Sequence, residues 1–156
     1  MRIGSGPFTN LDWLYELRNG RAFGQQGSSG PSVGNLSHVQ LLNPAASGVT
    51  IILHRIYYRA AAAALLRTNF FNTALSGAPV AGVNLNNGGA AGLGVVRTED
   101  NAAEQGTRFR LLGRPADDTG APSEEWICVL GAGEGVLVVP SGTNLGISIS
   151  WEWVEF

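Results

Sequence analysis

Apolar and polar residues alternate along most of the chain after residue 35. In the closing segment, Ile147, Ile149, Trp151 and Trp153 alternate with serine and glutamate, which is typical of a strand that covers a core with one face. Similar segments, separated by Gly, Asn, Ser and Pro clusters, predict strands at Leu36–Leu42, Val49–Arg59, Leu65–Phe71, Val80–Leu85, Gly94–Thr98, Thr107–Leu112, Glu125–Leu130, Gly135–Val139 and Leu145–Val154. These eight or nine strands predict an all-β fold, a jelly-roll-like antiparallel β-sandwich of about eight strands over residues 35–156.

Two adjoining segments do not alternate. Val49–Arg59 is almost wholly apolar or aromatic, which indicates burial on both faces or cover by a partner. Ala60–Ala64 is a run of five alanines. Helix propensity favours a helix there, but the run lies between two predicted strands, so we predict that it continues as strand.

The N-terminal region carries a helical pattern instead. Leu11, Leu14 and Leu17 recur at helical spacing, and an Asn-Gly pair that is typical of a helix end follows at Asn19. These features predict one short helix over Asn10–Arg18.

Gly24–Gly34 is rich in Gly, Ser and Gln, and this composition predicts a flexible linker. Residues 1–34 would then form an arm and linker, and deletion of residues 1–30 should leave the sandwich folded. Two interpretations of the arm stay open, since it can pack on its own domain or dock on a neighbouring subunit. In the second case its interface residues would be Phe8, Leu11, Trp13, Leu14 and Leu17.

Composition narrows the class of partner. Charged residues make up only 14% of the chain, and the ten basic residues are all arginine. A surface with so few charges is tolerated where other subunits cover it. The net charge of −2 argues against nucleic-acid binding. No apolar run reaches the ~20 residues of a membrane span, so no membrane partner is expected.

Candidate catalytic chemistry is sparse. His38 and His54 lie on different predicted strands, so the clustered histidines of an enzymatic cupin are missing. Cys128 is the single cysteine, and its spacing from Trp126 and Leu130 places it on the core side. The adjacent carboxylates fall in predicted loops, at Glu99-Asp100, Asp117-Asp118 and Glu124-Glu125. We therefore expect no enzyme activity, no cofactor and no catalytic or metal-binding residue.

The candidate sandwich interface lies on two predicted strands. Arg108 and Arg110 flank Phe109, so strict alternation turns both arginines outward together, as an exposed edge or toward a neighbour's carboxylates. The apolar strand Val49–Arg59 contributes the other predicted interface residues, which are Ile52, His54 and Tyr58.

Two stretches resemble small virion proteins of tailed bacteriophages. The segment from Gln40 to Arg55, QLLNPAASGVTIILHR, resembles an opening motif of those proteins. The segments from Gly135 to Pro140 and from Asn144 to Trp153 are similar to their closing strand pair, with its aromatic-Glu-aromatic end. The resemblance covers about a third of the chain. It implies a β-sandwich virion component, often trimeric, and carries over no catalytic residue.

These considerations lead to one expected function and one alternative. We expect a non-enzymatic capsid decoration (cement) protein, a homotrimer in the virion that is assembled in the host cytoplasm. Its arm would hold the major capsid protein or another virion protein. The alternative is a tail, collar or fibre component with a carbohydrate-binding or receptor-binding role. A glycan binder should show an exposed Trp or Tyr beside Asn and Asp in one cleft, whereas a decoration protein should show a flat apolar base and an arm.

Overall fold

The computed structural model describes residues 10–114 and 127–156. In this part of the chain there are one helix and eleven strands. The helix α1 spans Asn10–Arg18, as predicted. The strands are β1 (Ala22–Ser29), β2 (Leu36–Leu42), β3 (Ile51–Ala60), β4 (Ala64–Phe70), β5 (Val80–Ala81), β6 (Val83–Asn84), β7 (Val95–Asn101), β8 (Thr107–Arg114), β9 (Cys128–Leu130), β10 (Gly135–Pro140) and β11 (Ile147–Glu155).

The strands form two antiparallel sheets packed against each other. Sheet A has the order β6-β1-β11-β3-β9, and sheet B has the order β5-β7-β2-β10-β4-β8. Most connections cross from one sheet to the other, so neighbours within a sheet are distant in sequence, as in a jelly roll. The predicted all-β sandwich is confirmed.

The core lies between the sheets and is built from alternate residues of the central strands. Ile147, Ile149, Trp151 and Trp153 of β11 are all buried, so the predicted alternation of the closing strand is confirmed. From sheet B, Val39, Leu41, Leu66, Val136 and Val138 face them. The two tryptophans are the largest side chains without solvent exposure in the described part.

The predicted linker is wrong for residues 24–29. They belong to β1, which pairs antiparallel with β11 in continuous register from Ala22–Val154 to Ser29–Ile147. Phe23 of β1 is buried in the core cluster. Sheet A therefore begins well before residue 35, and the expectation that residues 1–30 can be removed without unfolding is withdrawn.

Two further segments differ from the sequence-based strands. Ala61–Ala63 form a bend rather than a strand, because β3 ends in sheet A and β4 begins in sheet B, and the small side chains allow this short corner. The predicted strand Val80–Leu85 is split at Gly82, where a Cβ would overlap the ring of Trp153. The strand predicted from Glu125 is described only as β9, since residues 125 and 126 lie outside the described part.

The Asn-Pro motif at Asn43 and Pro44 has a structural role. Asn43 has no exposed surface. Its Nδ2 donates to the carbonyl oxygens of Val49 (2.8 Å) and Leu130 (3.1 Å), and its Oδ1 accepts from the Ser47 hydroxyl (2.6 Å). Its backbone N–H donates to the carbonyl oxygen of Glu134. One amide thus joins the turn before β3 to the turn between β9 and β10.

Replacing this amide by a carboxylate should destabilise the fold. Asn43→Asp keeps the shape but removes both Nδ2 donors and places a negative charge against two carbonyl oxygens. We expect the free energy of unfolding at pH 7 to fall by at least about 2 kcal/mol in denaturant titration. The same substitution at the exposed Asn87 is the control, with an expected change within about 0.5 kcal/mol. Equal effects at both positions would contradict the structural role.

Candidate subunit interface

The N-terminal helix packs on the chain's own sheet A. The ring of Trp13 stacks on His54, with ring centroids 4.3 Å apart and planes 21° from parallel. After the helix, Arg21 Nε donates to the Glu16 carboxylate at 2.6 Å. Of the two interpretations left open by the sequence, the structure places α1 on its own domain.

His54 reaches Trp13 because it lies at a β-bulge. Leu53 pairs with Trp153 and Arg55 pairs with Glu152, so His54 is the extra residue of β3. A bulge turns an additional side chain to one face of the strand. Here that face is the outer one, which the helix covers. The sequence carried no signal for this register change.

The three residues predicted as interface on β3 are covered by their own chain. Tyr58 belongs to the core cluster, and Ile52 lies beside Val154 on the outer face. The side chains of Ile52, His54 and Tyr58 are all buried within one chain. A neighbour could not reach Ile52, His54 or Tyr58 in this conformation, so the candidate interface moves elsewhere.

The two arginines of β8 are both exposed, but they point to opposite faces of sheet B. Arg110 pairs with Thr68 and Arg108 pairs with Asn69, which are consecutive residues and point to opposite faces of β4. The bulge residue Phe109 causes this change of face. Arg108 is bound within the chain, because its Nη2 donates to both carboxylate oxygens of Glu104. The predicted alternation is therefore wrong here.

The remaining arm residues are placed unequally. Trp13 and Leu17 are half-buried. The side chain of Leu14 is half-exposed, and the neighbouring Tyr15 is also exposed. Leu11 lies within α1, and Phe8 lies outside the described residues.

An exposed aromatic pair marks one open side of the sandwich. Phe70 and Phe109 stack with centroids 4.2 Å apart and remain 42% and 39% exposed. Beside them is a groove of about 320 Å³ lined by Phe70, Asn72, Val129, Leu130 and Glu134. We call this region, with the outermost strands β8 and β9, the aromatic edge. Val129 on β9 is 59% exposed. Adjacent phenylalanines at the end of a strand were the available sequence signal, because alternation turns one of them outward.

The opposite side of the sandwich is formed by a segment that has no charged residue of its own, although the Glu155 carboxylate of β11 accepts from the Leu93 and Gly94 amides there. Its outermost strands are β5 and β6. No charged residue occurs between Arg67 and Arg97. Apart from Phe70, which belongs to the aromatic edge, the large exposed apolar side chains in this stretch are Val80, Val83, Leu85 and Leu93. We call this region the neutral edge. Its lack of charge is visible in the sequence, but its position opposite the aromatic edge is not.

A shallow polar groove of about 240 Å³ lies at the end of sheet A. Its lining includes Ser28, Arg59, Gly146 and Ser148. The hydroxyl groups of Ser28 and Ser148 are 2.8 Å apart and share a hydrogen bond. No aromatic side chain is among its described lining residues, so the groove lacks a platform on which a sugar ring could stack.

The cysteine and the carboxylate pair Glu99-Asp100 are held by burial or by hydrogen bonds within the fold. Burial raises the pKa of the Cys128 thiol to about 12, so the thiol is protonated at neutral pH. The Glu99 carboxylate accepts from the Ser76 amide, and Asp100 accepts from the Ser29 hydroxyl. Within residues 10–114 and 127–156, no three His, Cys, Asp or Glu side chains come together as a metal site. The pairs Asp117-Asp118 and Glu124-Glu125, and Trp126, lie outside the described residues.

Comparison with known proteins identifies no family: no family model matches the chain, and no curated protein or solved structure matches it. Among the described residues, no helix is long and apolar enough to cross a membrane.

Proposed function

We propose that this chain is a non-enzymatic structural subunit of a phage virion, most specifically a capsid decoration protein that assembles as a homotrimer. The observation that carries the proposal is the pair of unlike apolar edges on opposite sides of the sandwich. The aromatic edge offers Phe70, Phe109 and Val129, and the neutral edge offers Val80 and Leu85.

Two different surfaces on one subunit suit a cyclic assembly. In a head-to-tail contact the aromatic edge of one copy meets the neutral edge of the next, and such contacts form a ring when the rotation closes. The lack of charged residues in residues 79–94, which carry β5 and β6, supports this, because the cores of stable interfaces are depleted in charged residues. The phage-like opening and closing segments support three copies as the ring size.

The part of the arm that would attach to the shell is shorter than the sequence alone suggested. Because α1 is held by its own sheet through Trp13 and His54, the anchoring role of the arm is confined to residues 1–9, which include Phe8. The proposed partner is the major capsid protein or another virion protein, with assembly in the host cytoplasm.

The assembly is tested by light scattering at micromolar concentration and physiological salt. We expect the wild-type protein to have three times the mass of one chain. Phe109→Asp should weaken association by at least about tenfold, because it places a charge at the centre of the contact. Val33→Asp is the control, since Val33 is 88% exposed in the turn before β2 and should leave the mass unchanged. A wild-type monomer, or equal effects of the two variants, would contradict the trimer.

The place in the virion needs a separate test. The trimer should co-sediment with capsids and appear on the shell in cryo-electron microscopy of the particle. The alternative function, a tail, collar or fibre component with a carbohydrate-binding or receptor-binding role, would use the polar groove, where the Ser28 and Ser148 hydroxyl groups offer hydrogen bonds without an aromatic platform. Density at the tail together with retention on a glycan array would favour that alternative.

A further inference from the structure

His38 is a buried histidine on the outer face of sheet B. Val39 and Leu41 of the same strand face the core, so His38 and Gln40 point away from it. The His38 side chain nevertheless has no exposed surface. Its Nδ1 donates to the carbonyl oxygen of Leu36 at 2.9 Å, so the neutral ring carries its proton there. Its Nε2 has no hydrogen-bond partner among the described residues.

Residues 72–78 cover this outer face, and we call them the cover segment. Side chains of the sheet hold the segment in place. Gln40 accepts a hydrogen bond from the Leu75 amide at 3.1 Å, and Arg97 donates to the carbonyl oxygen of Gly77 at 2.7 Å. Leu75 is thereby buried against the sheet. The cover segment is thus fastened by hydrogen bonds to the sheet and by the buried Leu75 side chain, without being part of either sheet.

Glu99 connects His38 to the cover segment. It is the cross-strand partner of His38 on β7, and such partners have Cβ atoms about 5 Å apart. Its Oε2 accepts from the Ser76 amide at 2.8 Å, and its Oε1 accepts from Asn101 at 3.1 Å. The carboxylate that holds the cover segment is therefore also the acid directly across from the buried imidazole.

Charged groups of both signs lie around His38. Arg97 is two residues from Glu99 on the same face of β7, and Arg67 of β4 pairs with Glu104 at 2.6 Å. Asp100 follows Glu99 on β7, and Glu104 lies in the loop before β8. The cover segment and β10 contain no charged residue. Burial lowers the pKa of His38 below its ordinary value, and the three carboxylates oppose that shift without cancelling it.

We propose that His38 and Glu99 form a pH-sensitive latch, closed at neutral pH and opening when His38 takes up a second proton. The proton comes from solvent and binds Nε2, which then requires an acceptor. Glu99 is the acid across from Nε2, and its two oxygens accept from the Ser76 and Asn101 side of the strand, so a turn of the carboxylate toward Nε2 weakens the hydrogen bond from the Ser76 amide and loosens the cover segment. A charged imidazole left closed without an acceptor is costly to bury.

The sign follows from the preference of the proton for the open form. Because the pKa of His38 is lowered in the closed form, His38 binds a proton more readily when the latch is open. The free energy that favours the closed form is therefore constant above the ordinary histidine pKa of about 6.5 and decreases below it. The opening equilibrium should increase by up to about tenfold per pH unit in that range.

Amide hydrogen exchange tests the latch, with rates expressed as protection factors so that the intrinsic pH dependence is removed. Protection of the Leu75 and Ser76 amides should fall by up to about tenfold per unit as the pH is lowered from 6.5. In His38→Asn the amide can still donate to Leu36 but does not titrate, so protection should stay constant. His54→Asn is the matched control, because His54 lies on sheet A, and it should behave as the wild type does.

Three results would overturn the latch. The first is a wild-type protection factor that does not change between pH 7.5 and about 5.5. The second is a protection factor that falls equally in His38→Asn, and the third is a pH-dependent fall that is absent from His54→Asn. If His38→Asn fails to fold, an NMR titration of the wild-type imidazoles decides. His38 should then titrate below about 6.5, with the Ser76 amide shift following it. A higher titration, or an amide shift that does not follow, also overturns the proposal.

Discussion

A chain that lacks residues 1–30 is expected not to fold. The deletion removes β1, which is hydrogen-bonded to β11 on one side and to β6 on the other. It also removes Ala22 and Phe23 from the interior. The edge of β11, which carries Trp151 and Trp153, would then be open to water. An exposed, apolar strand edge of this length favours aggregation rather than a stable sandwich.

The control is a shorter deletion of residues 1–9, which leaves α1 and every strand in place. This variant should keep a β-type circular dichroism spectrum and a cooperative thermal transition, whereas the longer deletion should lose the transition. If the longer deletion melts as cooperatively as the wild type, the sandwich does not require β1 and this prediction is wrong. The shorter deletion also tests the anchor, since it should weaken co-sedimentation with capsids without changing the oligomer.

Replacing Trp151 by alanine is expected to cost about 3–5 kcal/mol of unfolding free energy. The ring is fully buried between the sheets, and its residue pairs with Gln25 on one side and Ile56 on the other. The substitution removes a large apolar surface and leaves a cavity that the paired strands cannot close. Urea unfolding followed by circular dichroism measures the loss.

Trp13→Ala provides the matched control for Trp151→Ala. Trp13 is half-buried on the outside of sheet A, and its described ring contact is the stack on His54. We expect a smaller loss, about 1–2 kcal/mol, from the stack and the partly covered surface. If Trp151→Ala keeps its melting temperature and loses binding to a glycan, the tryptophan is a binding platform and the core assignment is wrong.

Elements with a strong local pattern were predictable from the sequence. The alternation from Ile147 to Trp153 specified both the last strand and its buried face, and the leucine spacing with its Asn-Gly end specified α1. Both signals depend on residues within one segment. The candidate interface was less predictable, because the exposure of Phe109 depends on which strand lies beside it.

The sequence by itself determined the class of the fold, the helix and most strands, because apolar periodicity is a local property. Only the tertiary structure decided that the Gly- and Ser-rich segment is β1. That segment has little strand propensity of its own, and it becomes a strand because the edge of β11 supplies its hydrogen-bond partners. Gly27 is needed there, since a Cβ would meet the side chains of Val39 and Val96 at under 3 Å. The bulges at His54 and Phe109 were decided in the same way, by registers between strands that are distant in the chain.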